Sequence, residues 1–151
     1  MASRVVLLSM DGSKHSSFAF DWYLKHIRRD GDKVLIGYCP QFDSLSRSSS
    51  GLMTGNPQYM SDMITEEELG VQKLIKAFED LLKEKSLDGK VLRLSGSDPG
   101  HAIVKAAEEN GATMIITGCR GLGKVRRTLM GSVSTYVTHH SHVPVLICRH
   151  E

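Results

Sequence analysis

The chain has 151 residues, enough to bury one core and too few for two ordinary domains. Its 19 basic and 17 acidic residues leave a formal charge of +2, so nothing in the balance argues for nucleic acid or a membrane surface as the main partner. The apolar run in MASRVVLLSMDG is too short for a signal peptide, and no later stretch approaches bilayer length. Cys39, Cys119 and Cys148 form an odd set without C-x-x-C spacing, which argues against a disulfide framework or a thiolate zinc site. A reducing compartment, the cytoplasm, is the expected location.

In chain order, Arg4 to Ser9 (RVVLLS) is a continuous apolar run, as in a strand covered on both faces. Asp11 or Ser13 can cap the helix that follows, where Ala19, Trp22, Tyr23, His26 and Ile27 recur at helical spacing. Arg29-Asp30-Gly31-Asp32 stops it, and Lys33 to Cys39 reads as a second strand closed by Pro40. From Gln41 to about Met63 the chain is rich in Ser and Gly and lacks a period, which predicts a long irregular surface insert. Thr65 and Glu68 have capping-box spacing, and Val71, Leu74, Ile75, Phe78, Leu81 and Leu82 then form an apolar stripe.

Lys90 to Ser95 alternates like a third strand. Asp98-Pro99 supplies a cap and a first-turn proline for a helix with Ile103, Ala106 and Ala107, which ends near Asn110-Gly111. Met114 to Thr117 is a fourth strand, Ser132 caps a short helix carrying Val133, Tyr136, Val137 and His140, and Pro144 to Cys148 is a fifth strand. Strands alternating with helices imply right-handed crossovers and one parallel sheet with helices on both faces. In such sheets ligands sit at the carboxyl ends of the strands where the strand order reverses. The turn from Ser9 to Ser13 and the loop from Gly118 to Ser132 would share that crevice if strands one and four are neighbours.

The stretch from Met114 to Ser132 (MIITGCRGLGKVRRTLMGS) carries the chemistry. Glycines let a backbone approach a phosphate closely, and a helix start offers N–H groups at a positive dipole end. Arg120, Lys124, Arg126 and Arg127 add positive charge, with Arg120, between two glycines, the expected partner of an anion. A P-loop is excluded because Gly123-Lys124 is followed by Val125, which cannot supply the metal-binding hydroxyl. A dinucleotide fingerprint is excluded because no third glycine follows Gly121 and Gly123 at the required spacing.

What remains is Gly118, two residues, Gly121, nine residues, then Gly131-Ser132. This spacing, with a first strand ending near Asp11 and a short terminal strand, resembles the ATP-binding branch of the universal stress protein family. The resemblance covers nearly the whole chain and implies a single nucleotide-binding domain over residues 1–151, α/β and Rossmann-like, with a five-stranded parallel sheet in the order 3-2-1-4-5 and helices on both faces. It implies ATP as ligand, with adenine held near Ser9, Asp11 and the backbone of Cys39. Ribose and phosphates would run along Thr117, Gly118, Gly121, Gly131, Ser132 and Val133. It further implies a homodimer paired through the last strands and a role in stress survival. Two departures stand out: Cys119 occupies a position where a small hydroxyl residue is frequent, and the insert after Cys39 is long.

No general base is evident in the glycine-rich loop, and Asp11 is one carboxylate with which a magnesium ion could be held against the phosphates. The expected activity is therefore a switch or sensor with at most slow hydrolysis; a nucleotide-free dimeric scaffold and a true ATPase are the alternatives. His139, His140 and His142 suggest a metal site, but adjacent helical residues project about a hundred degrees apart, and histidine near a helix carboxyl end is favourable for dipole reasons.

Overall fold

The structure, a computed structural model, describes residues 3–41, 57–120 and 131–150, without the side chains of Met60 and Arg120. Five parallel strands, β1 (Val5–Ser9), β2 (Lys33–Tyr38), β3 (Asp88–Arg93), β4 (Met114–Arg120) and β5 (Val145–His150), form one sheet in the order β3-β2-β1-β4-β5. The helices are α1 (Lys14–Trp22), α2 (Pro57–Glu84), α3 (Pro99–Glu109) and α4 (Ser132–His140). The fold class and the 3-2-1-4-5 order are those expected.

The continuous apolar run of β1 has its physical reason in two cores. Val6 and Leu8 face a cluster with Ala19, Phe20 and Tyr23 of the first helical segment and with Phe78 and Leu82 of α2. Leu7 faces the opposite cluster, with Ile103, Ala106 and Ala107 of α3 and Val137 of α4. Each residue of the run has a wall of side chains to enter, so alternation disappears from the sequence. Helices thus cover both faces.

Ser13, rather than Asp11, is the N-cap of α1, its hydroxyl accepting from the Ser16 N–H at 3.3 Å. At its carboxyl end α1 continues as a π-helical turn, Tyr23–Ile27, in which the Arg28 N–H donates to Tyr23 O at 2.8 Å. Tyr23 is thereby buried, while His26 lies outside with its ring tilted against that of Trp22, centroids 4.4 Å apart. The turn closes on Asp32, whose carboxylate accepts from Arg4 Nε at 2.8 Å, Arg4 Nη2 at 2.7 Å, the Tyr23 hydroxyl at 2.7 Å and the Arg29 N–H at 3.0 Å. Four donors on a residue only 6 % exposed tie the start of β1, the end of the first helix and the entry to β2 together.

Several expected boundaries move. The helix expected from Thr65 begins at Pro57, so residues 57–63, assigned to the insert, are helical. Thr65 is not a cap: its hydroxyl donates to Ser61 O at 2.9 Å, and Glu68 instead forms a two-pronged pair with Arg93 at 2.7 Å. The third strand starts at Asp88 and ends at Arg93, because pairing with β2, Lys33 beside Asp88 through Tyr38 beside Arg93, sets its limits. The fourth strand continues past Thr117 to Arg120, held by β5. Ser132 is the first residue of α4 and Gly131 its N-cap. The helix stop at Asn110 is as expected, with Asn110 Nδ2 donating to Ala106 O at 2.8 Å.

Candidate functional site

The order reverses between β1 and β4: β1 is followed in the chain by β2 on one side, while β4 lies on its other side. Ser9, the last residue of β1, is in register with both Gly37 and Thr117, so β1 stops first and its two neighbours run on past it, β2 to Tyr38 and β4 to Arg120. Above them opens a cleft of about 320 Å³, within the range of small-molecule sites. Ser9, Asp11, Cys39, Thr117, Gly118, Gly131, Ser132 and Val133, drawn from four separate stretches of the sequence, all line it. Of the remaining expected site residues, Arg120 ends β4 with its side chain outside the described residues, and Gly121 lies outside them, as do Lys124, Arg126 and Arg127.

Cys39 and Gln41 reach the cleft from the chain after β2, Pro99 and Ile103 from α3, His15 and Ser16 from α1, Gly118 from β4, and Ser132, Val133 and Ser134 from α4. The first turns of α1, α3 and α4 all border it, so three helices bring their positive dipole ends to the cleft. At α4 the cap is a glycine, which has no side chain to satisfy the first N–H groups.

Asp11 supplies the negative charge. Partial burial pushes its pKa up, but the Ser13 hydroxyl and N–H both donate to its Oδ1, the N–H at 2.9 Å, and with the Ser16 hydroxyl and, least, the neighbouring His15 they hold the carboxyl below the ordinary range. It is ionised at neutral pH and occupied in shaping the turn. Cys39 is a neutral thiol: burial pushes its pKa up, although Gln41 Nε2 lies 3.6 Å from its sulfur.

The glycines have different reasons. A Cβ on Gly118 would stand 2.1 Å from His15 O and 2.6 Å from His15 C, so this glycine is what lets α1 lie directly on β4. Gly12 is at φ +82° with Leu74 of α2 3.0 Å from where its Cβ would be. Gly131, at φ −62°, has nothing within 4 Å of a Cβ position. Among the described residues, then, Gly118 is demanded by packing, and Gly131 borders open space in the cleft.

Met10, His15, Ser16, Gln41, Pro99, Ile103 and Ser134 also line the cleft and were not picked out from the sequence. Ile103 carried the signal of a core residue and is one, 2 % exposed, while also reaching the cleft. His15 carried a usable signal, its place in the first turn after Asp11. Of the carboxyl-terminal histidines, His142 Nε2 lies 3.2 Å from Glu108, and His140 stacks on Tyr136 with Nδ1 2.9 Å from Tyr136 O. No group of three ligating side chains suited to a metal occurs among the described residues.

A doubly wound parallel sheet with a cleft at its switch point defines a class of small-ligand-binding α/β domain. Residues 2–149 match the model of the universal stress protein family, and the chain belongs to that family. It is 26 % identical to universal stress protein YxiE of Bacillus subtilis over 145 residues, covering 95 % of this chain and 97 % of that one. A universal stress protein family protein of Arabidopsis thaliana with AMP bound superposes with a TM-score of 0.71 at 18 % identity, covering 98 % and 92 % of the two chains. A universal stress protein in complex with cAMP does so with a TM-score of 0.60 at 23 % identity, covering 98 % of each. Among the described residues no helix is long and apolar enough to cross a membrane.

Proposed function

We propose that the chain binds an adenine nucleotide, ATP, in the β1/β4 cleft and acts in the stress response as a nucleotide-dependent switch or sensor. The observation that carries this reading is the convergence of eight expected site residues, from four separate stretches of the chain, on one cleft. Adenosine is assigned to Cys39, Pro99 and Ile103, and phosphates to Gly118, Gly131 and Ser132. Arg120 and Gly121 are assigned to the phosphates as well. The bound AMP and cAMP of the two structural relatives support an adenine ligand.

Hydrolysis is at most slow in this reading. The one carboxylate among the described lining residues, Asp11, is held by Ser13, and any magnesium arrives on the nucleotide's own phosphates. The protein is placed in the cytoplasm as a homodimer paired through β5, whose Val145, Leu146 and Ile147 are half-buried on an edge strand.

The test is thermal unfolding with and without ATP and magnesium. ATP at a hundred times its Kd should stabilise the protein by about 2.7 kcal/mol, a shift of several degrees. Gly131→Val is the control: its Cβ meets open space, so the variant should fold but lose the shift. An absent shift in the unaltered protein would leave the nucleotide-free scaffold as the better account.

A further inference from the structure

Among the described residues that line the cleft there is no lysine or arginine. One side chain there can carry positive charge, His15, the second residue of α1. Its carbonyl is the atom a Cβ on Gly118 would strike, which fixes it over the carboxyl end of β4, in the cleft that Gly131 and Ser132 also line. It is also among the groups that lower the Asp11 pKa, after the Ser13 and Ser16 hydrogen bonds, so the imidazole stands within electrostatic reach of the carboxylate.

The groups around His15 set the sign. From the β1–α1 turn comes Asp11, ionised throughout the neutral range. On α1 itself Lys14 precedes it, and one turn along Phe18 packs on His150 of β5 with ring centroids 5.0 Å apart. From β4 come Gly118 and Cys119, and from the first turn of α4 the uncharged residues Gly131, Ser132, Val133 and Ser134. Across the cleft, Cys39 is a neutral thiol. Among the described lining residues Asp11 is the one fixed charge, and a protonated His15 offsets it beside the N-termini of α1 and α4.

We propose that His15 is a phosphate-contacting residue of this cleft, so that affinity for phosphate-bearing adenine compounds rises on acidification through the range in which histidine titrates. The inference rests on the nucleotide reading above. Histidine is the side chain whose charge changes between about pH 5 and 8. A bound phosphate favours the protonated ring, so the added affinity is fully present on the acid side and lost as pH rises. A nucleotide sensor built this way also senses cytoplasmic acidification, and it discriminates nucleotides from adenosine more sharply in acid.

The experiment is calorimetric titration of the full chain and of His15→Gln with ATP and with adenosine, at about pH 5.5 and about pH 8. The ratio of the two proteins' Kd values cancels the titration of ATP's own phosphate. For ATP the ratio should be roughly threefold to tenfold in acid and near one in base. For adenosine it should stay near one at both. His15→Lys should bind ATP tightly at both pH values, and His150→Gln should keep the slope of the unaltered protein. A ratio for ATP that is the same at both pH values, or an equal loss for adenosine, overturns the role of His15 while leaving the nucleotide site standing. No ATP binding by the unaltered protein at either pH overturns the site itself, and this inference with it.

Discussion

Asp32 is a turn residue whose place in the sequence, just after Gly31, gives no hint of its work. Burial pushes its carboxyl up, but the guanidinium of Arg4, the Arg29 N–H and the Tyr23 hydroxyl outweigh that and lower its pKa to about 2. Because the folded value is depressed, the stability this group contributes is present above the ordinary carboxylate range and is lost as pH falls toward about 2. Asp32→Asn should therefore cost about 2 kcal/mol in urea unfolding at neutral pH, and the gap should narrow between about pH 4 and about pH 2. A gap that stays constant with pH would mean the loss is one of shape and not of charge. Gly118 makes a second residue-scale prediction. Gly118→Ala drives a methyl into the His15 carbonyl and should cost at least about 1–3 kcal/mol in the absence of any nucleotide. Gly131→Ala, at an unobstructed cap, should cost under about 1 kcal/mol.

Elements were legible where a helix or strand faces a core along its length. The stripe from Val71 to Leu82 reads cleanly because Val71, Phe78 and Leu82 are buried. The first half of α2 has no such partner: Ile64 is 47 % and Leu69 52 % exposed, so no period marks this half as helix. The usable sign was Pro57, at the first helical position. Thr65 tests this assignment. As an exposed mid-helix residue it should tolerate Thr65→Ala with no loss, or a gain of a few tenths of a kcal/mol, by chemical denaturation. As a cap it would lose about 1 kcal/mol. The strand β3 was displaced for a related reason. Its first three residues are exposed, so the start is fixed by backbone pairing with β2 and not by its own side chains.

At the scale of the whole molecule, the cleft was legible because topology builds it. Once β1 and β4 are neighbours, Ser9 and Thr117 must meet, and the loops after them must share a crevice. Pro99, Ile103 and Gln41 were not legible, since only the packing of α3 against α4 and the path past Cys39 bring them in. The edge strand β5 bears on assembly. If the protein pairs through it, Val145→Lys with Ile147→Lys should convert a dimer to a monomer in light scattering while ATP still raises the melting temperature. A monomeric unaltered protein would end that expectation.

The contact between Gly118 and the His15 carbonyl has a consequence for descendants of this chain. A lineage that gave up its ligand would still be obliged to keep this glycine, since any side chain there would lift the first helix off the sheet. Gly131 is under no such obligation. A sequence retaining the former and substituting the latter would mark a copy whose cleft has fallen out of use, and the signature should therefore be weighted by position when it is read as a sign of binding.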